Sequence, residues 1–444
     1  MCKVSVLVPV YNVKKYLRQC LDSLAAQTLD GIEFVCIDDG STDGCSAILD
    51  EYAEQDGRFR VIHKANSGYG ASMNLGLQAA RGTYIGILES DDFTSPDMYT
   101  SLYEAAEREQ VEIVRSNFYL FDDTHGERFH ELLAGCPYDT VVSAQRDPHI
   151  LQMEIYLWTS LYRKDFLQKY DIRFQETPGA SYQDVSFCMK ALSCCQRIFL
   201  LRDAFVRYRV DNPESSIHKD GARKIKFFHK EFQAYWTFLR DQEDVARQAG
   251  LAVAPYLWKH YTGLFPQTLD DAERIDRILQ LKEDFQTVER GGWLAERFWA
   301  TEDWKKLDGL LHRTEAFLWD DAAEAQTRRL FREGILSFAR QGTGVYLYGA
   351  GQVAANLLRF MKKYEVRVLG HLVSDTGKNP DILGGTPVYS LADSPADFAH
   401  DLIIVAVTPR RPEVQQEIFA ALVQAGYRNV IVLTKELQQA LAGA

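Results

Sequence analysis

The chain has 444 residues, which at ~150 residues per domain implies two to four domains. Hydrophobic residues make up 46% and charged residues 25%, so there is enough apolar material for packed cores and wholesale disorder is excluded. With 50 Lys and Arg against 62 Asp and Glu the formal net charge is −12, and no Lys/Arg-dense stretch stands out, which argues against a nucleic-acid partner. The eight cysteines include no CxxC pair, and Cys194 and Cys195 are adjacent, so reduced thiols in a cytoplasmic protein are expected rather than a disulfide framework or a zinc site. The N-terminal apolar run is of strand length and lacks the features of a secretory leader. No segment reaches the ~18 apolar residues of a membrane span. The expectation is a soluble protein that at most contacts the inner membrane face.

In chain order, Val4 to Val10 reads as a buried strand. From Val13 the apolar spacing is helical. Glu33 to Ile37 is a second strand, followed by Asp38-Asp39-Gly40-Ser41 and a helix to about Gln55 that Thr42 or Asp43 can cap. Arg60 to His63, a helix from Gly70 to Ala80, and a strand from Tyr84 to Leu88 complete a βαβαβαβ order, which predicts a mostly parallel sheet with helices on both faces. Strands are expected at Ile113 to Phe121 and Ile198 to Tyr208, with a helix at Asp184 to Cys194. From about Gly221 to Gln341 nearly everything reads as helix, with breaks expected at Pro255 and Pro266. Its tryptophans, Trp236, Trp258, Trp293, Trp299, Trp304 and Trp319, read as packing and domain bridging. After Gly342-Thr343-Gly344 a small α/β unit follows, with strands at Val345 to Tyr348, Val366 to Val373 and Leu402 to Val407. The fold class is α/β: a mostly parallel first domain, a helical middle region and a small Rossmann-like C-terminal domain. The divisions are 1–220 (halves 1–110 and 111–220), 221–341 and 342–444.

Ligands of parallel sheets bind at the carboxyl ends of the strands. Tyr11-Asn12, Asp38 to Asp43 and Glu89-Ser90-Asp91-Asp92 all fall there. Crowded carboxylates repel one another, and a hard divalent cation such as Mg²⁺ or Mn²⁺ offsets that. Asp after a strand is also an ordinary turn and cap residue, and that alternative stands for either cluster taken alone.

These stretches resemble the inverting family-two glycosyltransferases of GT-A fold, which build bacterial surface polysaccharides. The resemblance runs through Val4 to Asn12, Tyr16-Leu17, Cys20 to Leu24 with Gln27-Thr28, Asp38 to Asp43, Asn66-Ser67-Gly68, Asn74-Leu75-Gly76 and Gly82 to Ile85 into Glu89 to Asp92. It implies that Pro9, Tyr11 and Asp39 line a nucleobase and ribose pocket, with Asp39 accepting the imide N–H of uracil and Asp38 supporting the loop. Asn66 and Asn74 would border the nucleotide and sugar pocket. Asp91 would bind the metal that holds the donor diphosphate, Glu89 would contact the ribose or the metal shell, and Ser90 between them would belong to the donor site. Two positions depart from the family pattern: Glu89 stands where Asp is usual, and Met73 where Arg often precedes the asparagine.

An inverting transfer needs a base on the acceptor hydroxyl. The resemblance places it at Asp184, with Gln183 where an acid is usual. The other reading of Asp184 is a helix N-terminal carboxylate. Trp158, in a family-like segment, either stacks on an acceptor sugar or belongs to the core. Arg209 would offset leaving-group charge, and His218 would complete the metal shell or be a plain surface residue.

Gly349-Ala350-Gly351-Gln352-Val353-Ala354 fits a dinucleotide fingerprint, and Asp375 ends the next strand where a ribose-binding acid belongs. The segment resembles small nucleotide-sugar-binding domains. The nucleotide-binding expectation rests on Gly349, Gly351, Ala354 and Asp375, with nucleotide or NAD as the ligand. The whole reads as a metal-dependent glycosyltransferase taking a nucleotide-sugar donor, with UDP favoured, and a glycan acceptor that is lipid-linked in one variant. The alternatives are a nucleotide-sugar-binding module of weak turnover and an NAD-dependent sugar-modifying enzyme.

Overall fold

Seven consecutive buried residues, Val4–Val10, form β1, an apolar run of the kind a strand covered on both faces requires. The computed structural model describes residues 1–132, 135–143, 146–147, 150–151, 155–180, 182–215, 221–263, 271–314, 344–349, 352–363, 366–374, 382–397, 401–406, 412–427 and 429–432. β1 lies between two parallel neighbours, β2 (Ile32–Asp38) and β4 (Tyr84–Ile87), and β3 (Phe59–His63) lies outside β2. Helices α1 (Lys14–Ala25), α2 (Cys45–Gln55) and α3 (Tyr69–Ala79) make the crossovers. These elements sit where the sequence predicts them. Gly44, not Thr42 or Asp43, is the N-cap of α2; the Asp43 carboxylate just before it accepts the Cys45 N–H at the start of α2 (3.1 Å) and the Lys14 N–H at the start of α1 (2.9 Å).

Beyond β4 the sheet changes direction. The four-residue β9 (Ser160–Arg163) is antiparallel both to β4 and to β6 (Ile113–Asp122). β10 (Ile198–Arg209) then runs parallel to β6, and β5 (Phe93–Thr94) pairs antiparallel with β10. The path is β3-β2-β1-β4-β9-β6-β10-β5, with β7 (Gly126–His130) on β6 and β8 (Val141–Val142) on β10. Helices α4 (Met98–Glu109), α5 (Lys164–Lys169) and α6 (Gln183–Cys194) complete this part.

One seam joins the two halves of the sheet at their functional end. The segment 174–179 lies against the first turns of α3. The Asn74 amide donates to the Phe174 carbonyl (3.0 Å) and to Glu176 (2.9 Å), and accepts the Phe174 N–H (3.0 Å). The Tyr69 N–H donates to the Gly179 carbonyl at 3.0 Å. The approach is so close that a Cβ on Gly70 would run into the Gln175 carbonyl, so only glycine fits there.

The chain divides into two compact units, Met1–Phe265 with Leu279–Leu311, and Pro266–Ile278 with His312–Ala444. The first includes α7 (Gly221–Arg240), α8 (Glu243–Gly263) and α10 (Thr301–His312), while α9 (Asp271–Arg290) runs across the division. Trp236, Trp258, Trp293 and Trp299 are buried there among aromatic neighbours, with Trp236 stacked on Trp293 at 4.9 Å. The break expected at Pro255 does not occur: Pro255 lies inside α8. The lost backbone bond costs about 3 kcal/mol, which the burial of Leu251, Val253, Leu257 and Trp258 on the same helix outweighs. Pro266 and Trp319 lie outside the described residues.

The second unit holds β11 (Val345–Tyr348), α11 (Gln352–Lys363), β12 (Val368–Val373), β13 (Ile382–Leu383), β14 (Thr386–Ser390), β15 (Leu402–Val405), α12 (Pro412–Gln424) and β16 (Asn429–Val432). Its order, β13-β14-β12-β11-β15-β16, is parallel except for the β13–β14 hairpin. That is the doubly wound arrangement, with the chain reversing across the sheet at β11.

Gly70→Ala is expected to lower stability by about 1–3 kcal/mol through overpacking at the seam. Thermal unfolding should show a lower midpoint than for Gly76→Ala, whose Cβ meets only the side chains of Ile37 and Leu7.

Candidate active site at the carboxyl edge of the first sheet

Asp38 ends β2 and Asp39 follows it, both buried. Asp38 accepts from the Ser41 N–H (2.9 Å), the Ser46 hydroxyl (2.6 Å) and His63 Nδ1 (2.9 Å). Burial pushes its carboxyl up, but those donors outweigh burial and hold it below the usual range. Its carboxylate thus ties the start of the loop after β2 to α2 and β3. Asp39 accepts the N–H groups of Ser67 (2.8 Å) and Gly68 (2.9 Å) and the Lys64 ammonium. A carboxylate has about four lone-pair sites, so one more donor can be received. These bonds bring Asn66, which is exposed, beside the turn at Gly40.

Pro9 lies inside β1 opposite Ile37. It shares the strand side of Leu7, whose carbonyl receives the Leu88 N–H, and β1–β4 pairing stops at Leu7 and Ile87. The missing proline N–H thus falls where the two strands have already parted. Tyr11 follows with half its surface exposed (52%). Asn12 is in the left-handed region (φ 50°), and its side chain accepts the Thr42 N–H at 2.8 Å. The β1 and β2 loops are thereby tied together with the Tyr11 ring open to solvent.

After β4 the chain places Glu89, Ser90, Asp91 and Asp92 in a row. The Tyr69 hydroxyl donates to Glu89 at 2.7 Å. Burial pushes the Glu89 carboxyl up to about 8. The Tyr69 bond pulls it back, while the charges of Asp91 and Asp184 push it further up. Ser90 is buried. Asp91 accepts from the Asn212 amide at 2.7 Å. Asp92 is 1% exposed; one oxygen accepts the Arg209 N–H (2.8 Å), the other has no partner, and burial drives its carboxyl well above the usual range.

Arg209 differs from expectation. It is 2% exposed, its guanidinium donates to Asp91 O, Asp123, Asp211 and Gln19, and it lies over the rings of Tyr16 and Phe121. Four of its five N–H groups thus hold the loop together, which leaves one to meet a leaving group. Trp158 also resolves to its core alternative: it is 4% exposed, stacked on Tyr208 at 5.2 Å and edge-on to Phe118. Asn74 spends its amide on the 174–179 seam.

Asp184 opens α6, whose first turn follows Tyr182 in the left-handed conformation (φ 64°). Gln183 donates to the Thr177 hydroxyl (2.8 Å) and the Gly179 carbonyl (3.2 Å), fastening this entry to the seam. Burial pushes the Asp184 carboxyl up to about 6 against the pull of its own and the Val185 N–H. Its charge is felt at Glu89 and Tyr69, so the β4 loop, α3 and the start of α6 converge. His218, Gly351 and Asp375 lie outside the described residues. In the second unit Gly349 has φ 122° and its carbonyl receives His371 Nδ1 at 3.0 Å, while Ala354 is fully buried on α11.

Sequence reasoning assigned no role to Tyr69, Lys64, Asn212 or Asp92. Tyr69 and Asp92 stood within or beside quoted motifs. Asn212 meets Asp91 across 121 positions, which no local pattern signals.

Residues 5–184 match the profile described as Glycosyl transferase family 2. The chain is 34% identical over 215 residues to "Uncharacterized glycosyltransferase EpsJ" of Bacillus subtilis (strain 168), covering 48% of this chain and 62% of that protein. For "Putative glycosyltransferase EpsH" of the same organism the figures are 32%, 47% and 60%. The chain thus spans about three fifths of the length of these relatives. A stretch of 94 residues is 43% identical to "Chondroitin synthase" of Escherichia coli, 21% of this chain and 14% of that one. In fold the chain is similar to S. aureus TarS 1-349 solved with UDP-GlcNAc, at a TM-score of 0.58 and 23% identity, over 75% of this chain and 92% of that one. Residues 5–184 are thus similar to a glycosyl transferase family 2 domain, and the fold is similar to that of TarS.

Proposed function

We propose that the chain transfers a sugar from a nucleoside diphosphate donor to a hydroxyl of a glycan, with inversion at the anomeric carbon. The observation that carries this reading is Asp184 at the entry of α6, raised by burial to about 6 and near enough to Glu89 for its charge to push that carboxyl up. A carboxyl near 6 is ionised at neutral pH and still basic enough to receive a proton as the acceptor oxygen attacks. The acceptor oxygen bonds to the anomeric carbon, the bond from that carbon to the diphosphate breaks, and the acceptor proton passes to Asp184. The relatives named as glycosyltransferases and a chondroitin synthase support a growing polysaccharide as acceptor.

The donor half spans 1–110 and the acceptor half 111–220 in this reading. Tyr11 offers an exposed ring for the nucleobase. Asp39, with one lone-pair site left, suits a single N–H donor such as the uracil imide. Among the described residues no group of three or more His, Cys, Asp or Glu forms a metal cage. That fits Mg²⁺ or Mn²⁺ held by one or two carboxylates plus substrate phosphates. Asp91, with only one oxygen engaged by Asn212, is the ligand we assign, and the ion would neutralise charge on the departing diphosphate. No helix among the described residues is long and apolar enough to cross a membrane. We place the reaction in the cytoplasm, with a lipid-linked acceptor at the inner membrane face. The unit from 342 on is read as a structural or nucleotide-sensing module.

Thermal unfolding with UDP-, GDP-, CDP- and TDP-sugars, each with and without Mn²⁺, should show a metal-dependent rise confined to uridine nucleotides, since ligands of the native state stabilise it by mass action. The rise should vanish in Asp91→Ala; a rise that persists there, or that GDP-sugars match, would remove the assignment. Asp184→Asn should lower kcat about 10²–10⁴-fold with donor KM nearly unchanged. In the unsubstituted protein kcat should fall as pH drops through about 6, because protonation of Asp184 removes the base, and the Asn variant should lack that limb.

A further inference from the structure

Helix α7 lies beyond residues 5–184, and its sequence reads as packing alone. It runs beside α6 and touches it at successive levels. Tyr182 meets Phe228 edge-on at 5.6 Å, the Ser186 hydroxyl donates to Glu231, the Lys190 ammonium lies over Phe238 at 5.7 Å, and the Ser193 and Tyr235 hydroxyls are 3.0 Å apart. The Ser186–Glu231 contact is unlike the others. Glu231 is 1% exposed and its second carboxylate oxygen has no partner. Ser186 is fully buried, and Lys190, 4% exposed, donates to the Arg173 carbonyl at 3.3 Å. A buried carboxyl with an unmet oxygen opposes folding, and the nearby Lys190 charge offsets only part of that burial. Packing therefore does not account for Glu231.

Its hydrogen bond lands two residues from Asp184, in the same first turn of α6. That turn is entered through the left-handed Tyr182, so its rotation sets where the Asp184 carboxylate points. We propose that Glu231 is a positioning residue for Asp184: by accepting from Ser186 it fixes the first turn of α6 and so directs the carboxylate of the base. The two carboxyls also sense each other. Burial pushes Glu231 up to about 7, the Ser186 bond and the Lys190 charge pull it down, and the Asp184 charge pushes it up.

The inference rests on Asp184 being the base, so its test has one arm that needs no turnover. Hydrogen exchange over residues 182–190 and the thermal midpoint are measured for Glu231→Leu, Glu231→Gln, Ser186→Ala and the unsubstituted full chain. UDP release from UDP-N-acetylglucosamine with Mn²⁺ and a panel of methyl glycoside acceptors is measured for these and for Asp184→Asn. Glu231→Leu, which leaves the buried Lys190 without its counter-charge, should lower the midpoint. It should also speed exchange in the first turn about tenfold and lower kcat about tenfold with donor KM within about twofold. Glu231→Gln keeps an acceptor for Ser186 and should restore both to within about threefold. If Glu231→Leu unfolds, Ser186→Ala should show the same local loosening. Unchanged exchange in both Glu231→Leu and Ser186→Ala, or a Gln variant as impaired as the Leu variant, overturns the proposal. Full activity in Asp184→Asn overturns the assignment of the base instead, and the exchange arm then still decides whether Glu231 holds the turn.

Discussion

The seam between α3 and the segment 174–179 is the contact on which the candidate site depends. Three hydrogen bonds from Asn74, one from the Tyr69 N–H and the absence of a side chain at Gly70 bring two pieces of chain about a hundred positions apart into backbone contact. At about 1 kcal/mol net for each bond, the seam is worth a few kcal/mol, comparable to a substantial part of a domain's stability. Each side of it holds one carboxyl of the candidate site in place. Tyr69 steadies Glu89 through its hydroxyl, and Gln183 ties the entry of α6, with Asp184, to Thr177 and Gly179. The distance between the two carboxyl groups is therefore set by backbone packing rather than by their own bonds.

The carboxylates at this edge fall into two electrostatic classes. Asp38 and Asp39 are surrounded by N–H, hydroxyl and ammonium donors. Asp92 is buried and Glu89 and Asp184 are partly buried, each with fewer donors, and they hold their protons more tightly for that reason. A single sheet edge thus presents fixed anions that shape loops beside groups poised to exchange a proton or meet a cation. The division follows from position. Asp38 receives the Ser41 N–H and the Ser46 and His63 side chains, and Asp39 receives N–H groups of the turn 64–68, whereas Glu89 receives one hydroxyl and Asp92 one backbone N–H.

Much of this was legible in the residues. The βαβ frame followed from apolar runs of strand length alternating with helical spacing, because local periodicity reports burial directly. The carboxylate loops followed from their place after strands, and Asp184 from its resemblance to the family segment. What failed or was missed depends on partners far away in the chain. Arg209 carries the charge of a phosphate ligand, yet Asp123, Asp211 and Gln19 surround it; Trp158 has the shape of a sugar platform, yet Tyr208 covers it. Pro255 looked like a break because propensity is local, whereas the burial that overrides it is not. Glu231 gave no signal, being one acidic residue among many in a charged helix.

The short strand β9 has a consequence for how the protein is made. Among the described residues it alone joins β4 to β6, and it is encoded more than seventy positions after β4 ends. At about 5–20 residues per second, a nascent chain spends several seconds with the β4 edge complete and unpaired. An open edge of that kind invites pairing with other chains. Four residues, three of them buried, thus close the interval in which the growing polypeptide is most exposed to aggregation on the ribosome.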